Sequence, residues 1–233
     1  MEELPYLRMV LTALPLLAFI VNLSFGVFIW KRKKLLVNRI FALLMFSFCW
    51  WNMGEFAMRL VASRGSAGAI LNFIEIAIPC IPSIGLAFVM ALENKTPSRR
   101  QLAAMVLGPL LFIMLNLAGM LANNVKVRFD VYMIGPMNLS IFNGYIYFTA
   151  YMTVFTAYVI YRLIRFYRLC ENEIVKKRIR YMLAGVLVTS IITFLTEFIV
   201  PIVLLPMGID IPSLGSSSTI FLTSLTYYSV RSR

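Results

Sequence analysis

Long apolar blocks, separated by short polar or basic links, run through the whole of this sequence and set the solvent it folds in. A helix that crosses a bilayer needs about 20 largely apolar residues. Seven stretches come near that length: 9–30, 40–60, 67–92, 102–122, 141–161, 181–204 and 213–230. Their apolar residues come in continuous blocks, not in amphipathic stripes, so most of this surface belongs in lipid. Composition agrees. Hydrophobic residues make up 61% of the 233-residue chain, against about 45–50% in soluble domains. The charged fraction of 14% is too small to cover a soluble globule, and the mean hydropathy is +0.84. The predicted fold is all-α: a single integral membrane bundle of seven transmembrane helices. The seventh is the shortest and is rich in Ser and Thr.

Basic residues set the orientation. With the amino terminus outside, 17 of the 22 Lys and Arg fall in cytoplasmic links or at the carboxyl end, and Arg8, Arg59, Arg64, Lys126 and Arg128 remain outside. That asymmetry follows the positive-inside rule and puts the carboxyl terminus in the cytoplasm. An even number of spans would put the last basic cluster on the wrong side. The acidic opening Met1-Glu2-Glu3 and the long apolar stretch after it do not suit a cleaved signal peptide, so the first helix is expected to be retained. The expected location is the cytoplasmic membrane, as a multi-pass protein.

The net charge of +12 sits in short clusters between apolar blocks. This pattern suits topology control and anionic headgroups and does not point to nucleic acid. The chain has no histidine, which removes His metal sites, His-ligated haem and Ser-His triads together. No lysine lies between residues 213 and 230 to hold retinal, and no Gly-rich phosphate loop appears. Cys49 and Cys80 fall inside apolar blocks and Cys170 in a basic loop, so no disulfide framework is implied. Neither a catalytic constellation nor a metal site or cofactor is expected.

Acids within apolar helices are the candidate functional residues, because an ionised side chain in a bilayer is costly unless paired or hydrated. Glu55, Glu75 and Glu197 lie in the second, third and sixth stretches. With alternating helix directions and a rise of ~1.5 Å per residue, all three fall within roughly 7–12 Å of the outer boundary. One interpretation is a shared polar cavity open to the outside, with Arg59 as counter-charge and Asn143 near the same level. The other is structural: Arg59 pairs with Glu55 at i,i+4, Asn72 shares a hydrogen bond with Glu75, and acids near the interface are hydrated or protonated. The hydroxyls from Ser216 to Thr226 are read as helix-packing residues. Pro79, Pro82 and Pro201 are expected to kink their helices. The connector 162–180 should extend the fifth helix, with Arg162, Arg165 and Arg168 reaching phosphates.

Several stretches carry a family resemblance. Asn38-Arg39-Ile40-Phe41-Ala42-Leu43 opens the second helix, and Trp50 and Trp51 follow. Pro82 precedes Phe88 in the third. Lys177-Arg178-Ile179-Arg180-Tyr181-Met182-Leu183-Ala184-Gly185 opens the sixth, Pro206-Met207-Gly208-Ile209 precedes Pro212, and Tyr227-Tyr228-Ser229-Val230 closes the last. Over nearly its whole length the chain resembles the amino-terminal seven-transmembrane sensor region of prokaryotic histidine kinases. The resemblance implies a signal-sensing input module that precedes cytoplasmic sensory and kinase modules. The sequence stops at Arg233, without an ATP site or phospho-acceptor histidine, so kinase activity is not implied and a detached or excised sensor is expected. Expected partners are the lipid bilayer, a small or lipophilic ligand, and a cytoplasmic signalling partner or downstream kinase module. The rival classes are a small-molecule transporter, disfavoured because the acids cluster at one face, and a structural subunit of a membrane complex.

Overall fold

The structure is a computed structural model and describes residues 5–32, 35–121, 125–128, 131–134, 144–204 and 214–231. Its helices are α1 (Pro5–Lys31), α2 (Leu36–Leu60), α3 (Arg64–Ile74), α4 (Cys80–Leu92), α5 (Arg99–Leu117), α6 (Gly144–Leu169), α7 (Glu173–Phe194) and α8 (Gly215–Arg231). A π-helical segment, Leu195–Leu204, continues α7. Asn143 lies outside the described residues, as do the expected turn residues Gly135, Pro136, Pro206, Gly208 and Pro212.

Local chemistry sets the boundaries. Ser98 and Gln101 form a reciprocal capping box that starts α5. The Asn172 side chain accepts from the Ile174 and Val175 N–H groups and starts α7. That cap also ends the helical connector: α6 does run on past the apolar stretch, but only to Leu169. The kink expected from Pro79 and Pro82 takes the form of a break, so the single stretch 67–92 becomes two helices, α3 and α4, joined by turns at 75–79. Pro79 and Pro82 have no N–H to give to the preceding turn, which favours a break here, whereas α1 and α5 run on through the single prolines Pro15 and Pro109. Pro201 lies within the π-helical segment.

The all-α expectation describes the bundle, with one addition. Val125–Arg128 and Val131–Ile134 form an antiparallel hairpin with Val125 opposite Ile134 and Arg128 opposite Val131. It packs on α2 and α3.

Helix α2 is the centre of the bundle. It packs most extensively on α1 and also on α3, α4 and α8. The other close pair is α7 with α8, and α1 meets α8 to close that side. Glycines permit close approaches between helices, two of them within the α2–α3 and α7–α8 pairs. A Cβ on Gly54 would fall 2.2 Å from Ile74 Cγ1, and one on Gly185 would fall 3.0 Å from Leu222 Cα. Small residues of this kind let helices approach closely where lipid gives no hydrophobic drive. Phe41, Met45, Phe48, Trp51, Ile74 and Met182 belong to the main core.

The surface is inverted relative to a soluble protein. Leu107, Met114 and Leu117 on α5 are 64%, 68% and 72% exposed, whereas Asn22, Asn52, Thr219 and Thr223 are fully buried. Exposed apolar surface with buried polar groups is the pattern expected in lipid. Among the described residues four helices are long and apolar enough to cross a membrane: Met9–Lys31, Leu36–Leu60, Arg99–Leu117 and Glu173–Glu197. Cys80–Leu92 is apolar but shorter.

Candidate functional site

A buried polar seam begins at the carboxyl-terminal part of α2. Glu55 and Arg59 lie one turn apart and both face inward, 1% and 3% exposed. Arg59 Nη2 donates to Glu55 Oε2 at 3.0 Å, and the indole N–H of Trp51, one turn earlier, donates to Glu55 Oε1 at 3.0 Å. Arg59 Nη1 donates to the Leu11 carbonyl of α1. The guanidinium thus ties α2 to α1 while neutralising Glu55.

Glu197 approaches the same region from the π-helical segment, close enough for its charge to act on Glu55. Its Oε1 accepts the Gly215 backbone N–H at 2.9 Å. Beside it, Thr196 Oγ1 accepts the Leu214 N–H at 3.3 Å. These acceptors serve the first turn of α8, where backbone N–H groups have no intrahelical partner and a negative charge is favoured. Glycine at 215 leaves room for that carboxylate: a Cβ there would lie 2.7 Å from Glu197 Oε1 and 2.8 Å from its Cγ, so the Glu197 side chain would have to shift.

From there the seam follows α8. Thr219 Oγ1 accepts from Asn22 Nδ2 at 2.8 Å and from Asn52 Nδ2 at 3.2 Å, and donates to the Ser216 carbonyl at 2.6 Å. Thr223 donates to Asn22 Oδ1. On the other side of α8, Thr189 of α7 donates to the Ser218 carbonyl at 3.0 Å. Helix α8 is therefore held to α1, α2 and α7 by hydrogen bonds as well as by packing.

The sequence-predicted acids do not all converge. Glu55, Arg59 and Glu197 come together. Glu75 lies in the turns between α3 and α4, 5% exposed, and no hydrogen bond or ion pair among the described residues joins it to those three. The expected Asn72–Glu75 hydrogen bond does not form. Instead, Asn116 Nδ2 donates to the Asn72 carbonyl at 2.8 Å. Asn143 lies outside the described residues.

Sequence reasoning missed two features. Asn22 and Asn52 are polar residues inside apolar stretches, and that isolation was the available signal. The second feature is at the opposite end of the bundle. Arg162 does not reach for phosphate: its Nε and Nη2 donate to Glu93 Oε1 and Oε2 at 3.1 and 2.5 Å. This fork joins the end of α4 to α6. Lys95 adds an ion pair to Glu93 at 3.0 Å. Burial pushes the Glu93 carboxyl up, but the hydrogen bonds from Arg162 and Lys95 outweigh it and hold the group below its ordinary value.

No curated protein matches the chain. A family model described as the N-terminal 7TM region of histidine kinase matches residues 14–232. Apolar spans, an inverted surface and this match make the chain a membrane protein of the sensor, signal-transducing type, and it belongs to the family of amino-terminal seven-transmembrane regions of histidine kinases.

Proposed function

We propose that this chain is a ligand-responsive input module of the cytoplasmic membrane. It crosses the bilayer seven times, with its amino terminus outside and its last helix delivering the signal to a cytoplasmic kinase module or partner. The 17 basic residues in cytoplasmic positions support that orientation. In the seven-rod arrangement α3 and α4 act as one broken span, and α6 and α8 are the fifth and seventh.

The observation that carries the proposal is the bond from Gly215 N–H to Glu197 Oε1. Through that bond a buried charged cluster meets the first turn of α8, the helix proposed to lead to the output. In the structure the cluster is closed: Arg59 answers Glu55, and Glu197 answers the α8 amides. A ligand arriving from the outer side and engaging Glu55, Arg59 or Glu197 would exchange these bonds for its own and let α8 move. Such a ligand shifts the equilibrium by its difference in affinity for the two arrangements. Glu75 and Asn143 are further candidate contacts on the same side.

Glu55→Gln, Glu75→Gln and Glu197→Gln, read by autophosphorylation of the coupled kinase, test the proposal. Altered basal or stimulated output at Glu55 and Glu197 is expected. Unchanged output at all three positions contradicts it.

A further inference from the structure

A cavity of about 480 Å³ opens between α2, α4, α6, α7 and α8, apart from the charged cluster. Its volume falls within the range of about 300–1,000 Å³ usual for small-molecule sites. Phe48, Trp51, Phe88, Met152 and Leu222 are among its walls, with a few Thr and Ser hydroxyls and no charged residue. Apolar cavities of this kind stay dry and accept apolar guests. The rim includes Ile191, Phe194 and Leu195, which are 56%, 43% and 48% exposed. On a bundle whose outer surface is solvated by lipid, that rim opens sideways into hydrocarbon.

We infer that this cavity binds one hydrocarbon chain of a bilayer lipid, entering between α6 and α7. The lining fits a chain and disfavours a headgroup, since it holds no charged side chain to neutralise a phosphate or an amine. The chain's methylenes would come to lie against Trp51, whose indole N–H holds Glu55. They would also lie against Leu222 of α8 and Thr189, which donates to the α8 backbone. Occupancy is thereby coupled to the position of the last helix. The site is independent of the polar-ligand proposal, and either can fail without the other.

Gly85 supplies the test. It lines the cavity, and a Cβ there would meet only Val159 Cγ2, at 4.0 Å, so a larger side chain can grow into the space. Trp30→Phe with Trp50→Phe leaves Trp51 as the sole tryptophan of the original three. This protein is placed in phosphatidylcholine vesicles with ordinary or dibrominated acyl chains. Trp51, although only 6% exposed, is expected to lose at least half its fluorescence to the brominated lipid. Gly85→Phe is expected to reverse most of that loss while circular dichroism is unchanged. If Gly85→Phe does not fold, Ala157→Phe, which narrows the cavity from α6, should have the same effect. Absence of quenching, or equal quenching in a folded plugged variant, overturns the proposal. Quenching by dibromostearic acid in micelles, with none by brominated phospholipid, overturns the assignment to a bilayer lipid.

Discussion

Glu197 and Gly215 are 18 positions apart, yet the carboxylate of one accepts the backbone N–H of the other at 2.9 Å. The π-helical segment and α8 are joined at this point. Any side chain at 215 must displace the carboxylate. Gly215→Ala is therefore expected to break the cap at a cost of about 0.5–2 kcal/mol and to shift basal signalling. Thermal unfolding in detergent and kinase output measure the two effects.

Arg59 is expected to be among the least replaceable side chains. Arg59→Leu leaves Glu55 buried without its ion partner, and breaking such a pair costs about 3–5 kcal/mol. Adding Glu55→Gln to the same protein should recover much of that loss. Thermal melts of the single and double variants in one detergent test this, and non-recovery would place the cost elsewhere.

Thr219 is the hub of the seam. Thr219→Val would leave the Asn22 and Asn52 amide N–H groups without their shared acceptor, costing about 1–3 kcal/mol for each buried group stranded. Thr219→Ser keeps the hydroxyl and should retain most of the stability. Urea or thermal unfolding of the pair separates loss of the hydrogen bonds from loss of the methyl group.

Much of this was legible in the sequence. The apolar blocks marked the long helices α1, α2, α5 and α7 because a bilayer demands long apolar helices, and Glu55 with Arg59 could be paired because i,i+4 spacing fixes their faces. The convergence of Glu197 with them was read from depth alone, and depth does not give azimuth. That is why Glu75, at the same expected level, lies elsewhere. The hydroxyls of α8 were read as packing groups. Thr219 and Thr223 do pack, but their role depends on Asn22, 197 and 201 positions away, and for Thr219 also on Asn52, 167 positions away. The hairpin was hidden because its two four-residue strands sit in a short link whose alternation, Val-Lys-Val-Arg, is brief. Arg162 resembled a snorkelling residue because its partner, Glu93, is 69 positions earlier.

At the end of the bundle opposite the Glu55 cluster, Glu93 gives a pH dependence. Its folded-state pKa lies below the ordinary value of 4.5, so the clamp contributes stability above that value. The contribution is lost as pH falls from about 4.5 through the folded pKa. Spin labels on α4 and α6 should separate on acidification in that window. Glu93→Gln should remove the pH dependence and leave the two helices looser at neutral pH.

The central claim is that the charge cluster sets the position of the last helix. The most direct measurement is the distance distribution between spin labels at the amino-terminal end of α2 and the carboxyl-terminal end of α8, in vesicles, for the parent protein and for Glu197→Gln. A displaced or broadened distribution in the variant is the expected result. Superimposable distributions, with both proteins folded, would contradict the account.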